Sequence, residues 1–205
     1  MAKLKAPLLS LGASGAIGKS LVYFPWKGLD CAREYVVPAN PNTNPQQTQR
    51  SYVTAAVALI HSLQALPASP FAADDVTAYS LLASLSATPR TWFNAIVKQW
   101  IDQKIASLIP GVYSAGSCTA GVLKVTLKMS MAGESSVVTN GFIHYGTSKT
   151  NMATKLDCTR AQLAAGREVT SLTAGVKYYF QYRPSLPTTF LGTNSGIWHA
   201  TPTAS

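Results

Sequence analysis

The sequence predicts an α+β fold, in which an N-terminal β-hairpin and several helices precede an all-β Greek-key sandwich. Three observations lead to this prediction. Two β-prone runs flank Pro25-Trp26-Lys27-Gly28, which is a turn signal. Apolar residues then recur at helical spacing over residues 45–109. Beyond Pro110-Gly111 the apolar residues alternate in short runs separated by Gly, Asn and Ser, which is typical of a β-sandwich.

The N-terminal segment is predicted to be a Gly-rich arm that leads into a hairpin. Residues 17–24 and 29–37 are rich in aromatic and β-branched side chains, so we expect two strands there, with Trp26, Lys27 and Gly28 near the tip. The glycines upstream are interpreted as hinges of an extended arm. The prolines of residues 38–45 keep the next segment extended, because each disfavours helix at the residue before it.

Three helices are predicted from the middle of the sequence. Thr43 or Asn44 caps the first, at residues 45–66, and its first turn holds a proline. The second is expected at residues 74–85 and the third at residues 89–109. The third carries an aromatic and aliphatic stripe that we assign to the core: Trp92, Phe93, Ile96, Val97, Trp100, Ile101 and Ile105.

The last part of the chain is predicted to contain short strands only. Residues 122–129 alternate strictly, so one face of that strand holds Leu123, Val125, Leu127 and Met129. Further strands are expected at residues 137–139, 142–145, 168–172, 177–183 and 196–200. Because the pattern changes at Pro110-Gly111, the sequence indicates two domains, 1–112 and 113–205.

Composition narrows the classes of function. Only 12% of the residues are charged, about half the ~25% of ordinary soluble proteins. Small polar residues take their place, which is common in proteins whose surfaces pack against other subunits. The net charge of +9 is spread thinly, without a cluster of Lys and Arg, and this indicates a mildly basic surface more than a nucleic-acid groove.

Targeting and disulfide signals are weak. No apolar run approaches the ~18 residues of a membrane span. The N-terminal apolar run is also too short for a signal peptide. We therefore expect a protein that stays in the cytoplasm, where it is made, until the cell lyses. Cys31, Cys118 and Cys158 show no CxxC spacing. We expect free thiols, with a pairing of Cys118 and Cys158 left open.

The segment Gly12–Ser20 matches two nucleotide-binding patterns. Its GxxGxxG resembles the opening of extended short-chain dehydrogenases, and from Ala13 it meets a loose Walker A form ending in Gly18-Lys19-Ser20. Both sites require a helix directly after Gly18, whose N–H groups face the phosphates. The next residues are β-prone and broken by Pro and Gly, so we expect no bound nucleotide and keep a nucleotide-dependent enzyme as a minor alternative.

No other catalytic or metal-binding arrangement is apparent in the sequence. His61, His144 and His199 have no partner at ligand or triad spacing. Asp74 and Asp75 are interpreted as charges that favour a helix N-terminus. The sequence therefore predicts a protein without catalytic residues, cofactor or metal, which is not an enzyme.

A tyrosine corner is predicted where the loop at Leu172 and Gly175 leads to Tyr178. Tyr178, Phe180 and Tyr182 recur every second residue and point to one face of a strand. This Leu-x-x-Gly-x-x-Tyr-x-Phe pattern resembles the penultimate strand of fibronectin type III domains, and His144–Ser148 resembles their third strand. The resemblance covers residues 120–205 and implies a fibronectin III-like or immunoglobulin-like module without chemistry of its own.

Residues 12–50 resemble a block found in small structural proteins of tailed bacteriophages and prophages. The resemblance rests on the order of a Gly/Ser arm, an apolar strand, Trp26-Lys27-Gly28, Arg33-Glu34-Tyr35, Asn40-Pro41 and a Gln-rich helix start. It implies a virion protein, capsid- or tail-associated, that attaches through its N-terminal block and projects the sandwich. The implied partners are other virion proteins and further copies of the chain.

Five large side chains are the expected protein interface: Trp26, Lys27, Arg33, Tyr35 and Arg50. Two other interpretations remain open at this point. Trp26 could instead close the helical core against the hairpin. The chain could also bind nucleic acid, with phosphate contacts from Lys19, Lys27, Arg33 and Arg50 and base stacking on Tyr23, Trp26 and Tyr35. Such binding would weaken steeply with salt.

Overall fold

The chain forms two compact units, Met1–Thr43 and Asn44–Ser205, which we call the N-terminal and the C-terminal unit. The computed structural model describes residues 2–4, 14–37, 39, 42–68, 70–88, 90–132 and 138–204. Helices and sheets are both present, which confirms the predicted α+β class.

The N-terminal unit contains one four-stranded antiparallel sheet in the order β1-β4-β3-β2. Its strands are β1 (Ala2–Leu4), β2 (Gly15–Ile17), β3 (Leu21–Trp26) and β4 (Leu29–Glu34). Strands β3 and β4 are the predicted hairpin, although β4 ends before residue 37. Strand β2 differs from the expectation, because Gly15 belongs to a strand paired with Tyr23 and is not a hinge of an arm.

Three helices open the C-terminal unit, close to their predicted bounds. They are α1 (Asn44–Gln64), α2 (Ala73–Ala83) and α3 (Trp92–Ile105). Helix α3 begins at a cap in which the Thr91 hydroxyl accepts a hydrogen bond from the N–H of Asn94, at 3.3 Å. The predicted stripe of α3 does contribute to the core through Ile96 and Trp100, whereas Ile105 at the helix end is 60% exposed.

The described part of the C-terminal unit also holds seven strands in two antiparallel sheets, ordered β11-β10-β7-β8 and β5-β6-β9. The strands are β5 (Val112–Gly121), β6 (Lys124–Ala132), β7 (Asn140–Gly146), β8 (Thr154–Thr159), β9 (Arg167–Val169), β10 (Tyr178–Leu186) and β11 (Trp198–Ala200). A short helix, α4 (Arg160–Ala165), follows β8, and a single 3-10 turn, Thr188–Phe190, follows β10.

Both sheets contribute to one hydrophobic core. Strand β6 supplies Val125, Leu127 and Met129, each at most 1% exposed, as the alternation predicted. The other sheet supplies fully buried side chains from β7, β8, β10 and β11, among them Ile143 and Phe180. Because these side chains form one cluster, the two sheets are held together by apolar burial.

Several details of the β-region differ from the sequence prediction. Leu123 does not belong to the buried face, since it lies in the turn before β6 with a φ of 52° and is 46% exposed. Strands β5 and β8 and helix α4 were not predicted. Strand β5 contains a register shift between Ser114 and Ser117, which interrupts its alternation. Residues 138 and 139, expected in a strand, lie outside any strand, since β7 begins at Asn140, and residue 137 lies outside the described residues.

The two compact units meet at residues 43/44, and buried polar contacts tie helix α2 to the strands beyond the expected boundary at 112/113. The carboxylate of Asp75 accepts hydrogen bonds from the N–H groups of Ala72, Ala115 and Gly116, at 2.9, 3.1 and 3.0 Å. Ala115 and Gly116 form the bulge of β5. The N–H of Ala115 also donates to the carbonyl of Pro70 at 3.1 Å, so without Asp75 the N–H groups of Ala72 and Gly116 would lose their acceptor.

Two further ties reinforce the same junction. The Tyr79 phenol accepts a hydrogen bond from the N–H of Tyr113 at 3.0 Å, and the Tyr113 phenol donates to the carbonyl of Thr193 at 3.1 Å. The N–H of Ile197, just before β11, donates to the carbonyl of Ala78 in α2 at 2.9 Å. These hydrogen bonds join the helices and the sheets within one compact unit.

The tyrosine-corner residues lie together at the start of β10. The phenol oxygen of Tyr178 accepts a hydrogen bond from the N–H of Thr173 at 3.3 Å, and this interaction with Thr173 lowers the pKa of Tyr178. Gly175 has a φ of 75° and donates its N–H to Pro202, while Leu172 is buried in the core. The phenol is half-buried, so its bond is partly open to water.

None of the helices in the described ranges is both long and apolar enough to cross a membrane.

Candidate protein-docking surface

Two tight turns fix which side chains share a face of the N-terminal sheet. Gly18 and Lys19, between β2 and β3, both have positive φ values, of 54° and 56°. Lys27 and Gly28, between β3 and β4, have φ values of 49° and 75°. Two consecutive positive φ values are the signature of a type I′ turn, whose twist matches that of the flanking strands. The turns therefore fix the register of the sheet.

One face of the sheet is apolar and carries a single guanidinium group. In the β3–β4 ladder, Val22 lies opposite Arg33, Phe24 opposite Cys31, and Trp26 opposite Leu29. Opposed residues of antiparallel strands project from the same face, and every second residue of a strand does so too. We call the surface formed by these side chains the arginine face: Val22, Phe24, Trp26, Leu29, Cys31 and Arg33.

The arginine face is open to solvent over most of its extent. Trp26 is 55% exposed and Leu29 is 45% exposed, whereas Cys31 is buried. The guanidinium carbon of Arg33 lies 5.4 Å from the centre of the Phe24 ring, in a cation–π contact. This contact holds a charged group over an aromatic ring, where it can pair with a carboxylate of a partner.

A shallow groove of about 340 Å³ adjoins the arginine face at the end of β4. It is lined by Val22 and Arg33 together with Glu34, Tyr35 and Val36. Val36 is 69% exposed. The groove extends the apolar surface past the last residue of the strand.

The opposite face of the same sheet is also apolar, but its charges are negative. Leu21 lies opposite Glu34, and Pro25 opposite Asp30. Ile17 of β2 lies opposite Leu21. We call the surface formed by the following side chains the carboxylate face: Ile17, Leu21, Tyr23, Pro25, Asp30, Ala32 and Glu34. It holds both acidic residues of the N-terminal unit, while Arg33 projects from the other side.

The structure brings only part of the predicted interface together. Trp26 and Arg33 share the arginine face, and Tyr35 lines the adjoining groove. Lys27 lies in the turn, off both faces. Arg50 belongs to helix α1 of the C-terminal unit, so it is not part of this sheet.

Sequence reasoning missed the aliphatic and aromatic neighbours of Arg33 and the separation of charge between the faces. The signal was present in the sequence. Once Lys27-Gly28 is taken as a two-residue hairpin turn, alternation alone places Arg33 and Glu34 on opposite faces. The same alternation places Val22 and Phe24 beside Arg33.

The residues of the suspected phosphate loop form a hairpin. Gly12 and Ala13 lie outside the described residues. Gly18 and Lys19 occupy the turn, which is closed by a 2.9 Å hydrogen bond from the N–H of Ser20 to the carbonyl of Ile17. A strand, β3, follows where both nucleotide motifs require a helix. The phosphate-binding geometry of those motifs is therefore not formed by residues 18–26.

The titratable groups elsewhere are spread out or buried. Burial raises the pKa of the Cys118 thiol to about 12 and that of Cys158 to about 11, so both are poor nucleophiles. Burial lowers the pKa of His144 and His199. All three cysteines are unpaired. In the part of the chain that the structure describes, no three His, Cys, Asp or Glu side chains come together as metal ligands.

No protein-family model matches this sequence, and no curated protein is significantly similar to it.

Proposed function

We propose that this protein is a non-enzymatic structural component of a bacteriophage virion, associated with the capsid or the tail. In this proposal the N-terminal unit attaches the chain to a protein lattice, and the C-terminal unit projects from it. The protein is made in the host cytoplasm and ends in the particle. The observation that carries the proposal is a single sheet with exposed apolar side chains on both faces.

A one-layer sheet is expected to need a second layer. A sheet is stable when a hydrophobic face packs against another element. In the N-terminal unit, Ile17, Leu21, Trp26 and Leu29 are all between 41% and 55% exposed. Exposed apolar residues clustered around an aromatic ring and an arginine are typical of protein-binding surfaces. This surface supports attachment to another protein.

The C-terminal unit supports the role of a projecting module. We interpret its two sheets as a Greek-key sandwich of the fibronectin III or immunoglobulin kind, because β10 pairs with β7 and β9 with β6 across intervening strands. The tyrosine-corner bond between Tyr178 and Thr173 fits the same interpretation. Such modules act by spacing and binding and need no catalytic group.

The sequence resemblance to phage structural proteins agrees with these features. It covers residues 12–50, which include the whole arginine face. The low fraction of charged residues also suits a protein that is surrounded by other subunits.

The test is incorporation into particles. Phage particles are produced with the double variant Trp26→Ala/Arg33→Ala in place of the native chain, and their protein content is measured by mass spectrometry. We expect the variant to be lost from purified particles while its C-terminal unit melts at the native temperature. The matched control is Lys19→Ala, which removes an exposed basic side chain from a turn and should leave incorporation unchanged.

Two results would contradict the proposal. The native protein could be missing from purified particles, or the double variant could be incorporated at the native level. Salt separates the proposal from the nucleic-acid alternative. Attachment through apolar burial should persist at high salt, whereas binding to single-stranded DNA should fall steeply as salt is raised. Strong, salt-sensitive DNA binding that is lost in the double variant would favour the alternative.

A further inference from the structure

We infer that the N-terminal sheet binds a second copy of the same chain, with the arginine face of one copy packed against the carboxylate face of the next. The inference rests on the proposed function and deepens it by naming the partner. It follows from the charge and the apolar content of the two faces.

The two faces are complementary in charge. Arg33 lies on the arginine face, and Lys3 of β1 is paired with Cys31 of that face, whereas Asp30 and Glu34 lie on the carboxylate face. Packing unlike faces brings a guanidinium group toward two carboxylates, whereas packing like faces brings like charges together. Like-charge juxtaposition disfavours an interface. Charge therefore selects the contact between unlike faces.

Both faces also expose apolar side chains that can pack between two stacked sheets. Trp26 and Leu29 are exposed on the arginine face, and Ile17 and Leu21 are exposed on the carboxylate face. Stacked sheets lie about 10 Å apart, so side chains from the two facing layers can interdigitate. Each copy would thereby cover the apolar side chains that are exposed on the described part of its neighbour's sheet.

Contact between unlike faces has a consequence for the assembly. Each copy contacts one neighbour through its arginine face and another neighbour through its carboxylate face. Such heterologous contacts produce closed rings or open filaments, depending on the rotation between neighbours. A symmetric dimer that uses the same face twice would end at two copies.

Charge reversal on each face tests the inference. The variants are Arg33→Glu on the arginine face and Glu34→Arg on the carboxylate face, and both side chains are exposed, so folding should be retained. The mass of the full-length chain in solution is measured by light scattering after size exclusion. We expect the native chain to form oligomers larger than dimers, and each single variant to be mainly monomeric.

Two samples in which the charges are complementary again make the test specific. An equimolar mixture of the single variants should regain the native oligomer mass, because the altered arginine face of one variant is complementary to the altered carboxylate face of the other. The double variant Arg33→Glu/Glu34→Arg should regain it too. Circular dichroism of each variant checks that the sheets are retained.

The inference would be overturned by a native chain that is monomeric, by single variants that keep the native mass, or by a mixture that does not recover it. These outcomes can be distinguished from a failure of the proposed function. A chain that is monomeric in solution but present in particles would refute the inference and leave the virion role intact. A chain that forms oligomers but is missing from particles would do the reverse.

Discussion

The two units of this protein use apolar residues in opposite ways. In the C-terminal unit, Phe180 of β10 is fully buried between two sheets. In the N-terminal unit, Trp26 of β3 is 55% exposed, although it is the larger side chain. The C-terminal unit therefore buries its large apolar side chains within itself, whereas the N-terminal unit leaves them at the surface, where we propose that they contact a partner.

The largest effect is expected from truncating a core aromatic residue in the C-terminal unit. Phe180→Ala should lower the free energy of unfolding by about 3–5 kcal/mol, because it removes buried apolar contacts and leaves a cavity. The matched control is Phe24→Ala on the arginine face, where the ring is half-buried, and it should cost below about 1 kcal/mol. Urea unfolding measures both. Equal costs would contradict the contrast between the units.

Removing the carboxylate that ties α2 to β5 should have the next largest effect. Asp75→Ala leaves the N–H groups of Ala72 and Gly116 without their acceptor and removes one of the two acceptors of the Ala115 N–H, so it should lower the free energy of unfolding by about 2–4 kcal/mol. Asp75→Asn keeps one acceptor oxygen, so its cost should be smaller. If thermal unfolding showed the alanine variant to be as stable as the native chain, residues 44–105 would not depend on this tie to the sheets.

The same carboxyl group should make stability depend on pH. Burial raises the pKa of Asp75 above its ordinary value of 3.8, against the opposing effect of the three N–H bonds. The carboxyl group of Asp75 therefore stays protonated in the folded chain at a pH at which it has lost its proton in the unfolded chain. Its contribution to stability is fully present below pH 3.8 and is lost as the pH rises through the folded-state pKa.

The pH effect is measured as the difference in unfolding free energy between the native chain and Asp75→Asn, which cannot titrate at this position. As the pH rises from about 4 toward neutrality, the native chain should lose stability relative to Asp75→Asn. A shift in the opposite direction would mean that the N–H bonds outweigh the burial.

The smallest effect is expected at the tyrosine corner. Tyr178→Phe removes one hydrogen bond to Thr173 that is partly open to water, so it should lower the unfolding free energy by below about 1 kcal/mol. Thermal unfolding of the full chain measures this change. If Tyr178→Phe lowered the unfolding free energy by more than Asp75→Asn does, the tyrosine corner would contribute more to stability than its exposure to water indicates.

Local patterns in the sequence predicted the elements well. The 3.6-residue periodicity gave the three long helices, and alternation gave the buried face of β6. The hairpin followed from Lys27-Gly28, since two residues with positive φ are what such a turn needs. These are signals between residues close in sequence, which the chain displays directly.

Long-range relations could not be read from the sequence. The carboxylate of Asp75 was interpreted as a helix-start charge, and it does cap α2, but nothing local shows that it also binds the bulge of β5, forty residues away. For this reason the boundary expected at 112/113 separates α2 from the strand to which Asp75 is bonded. The charges on the two faces could have been predicted from the sequence, because their assignment requires only the position of the turn and the alternation of side chains along β3 and β4.

The central claim is that attachment resides in the N-terminal unit and stability in the C-terminal unit. The most direct test produces the fragment 44–205 beside the full chain and measures two quantities for each, the melting temperature and the number of copies in purified particles. We predict that the fragment melts at the temperature of the full chain and is absent from the particles. A fragment that enters particles at the copy number of the full chain would contradict the claim.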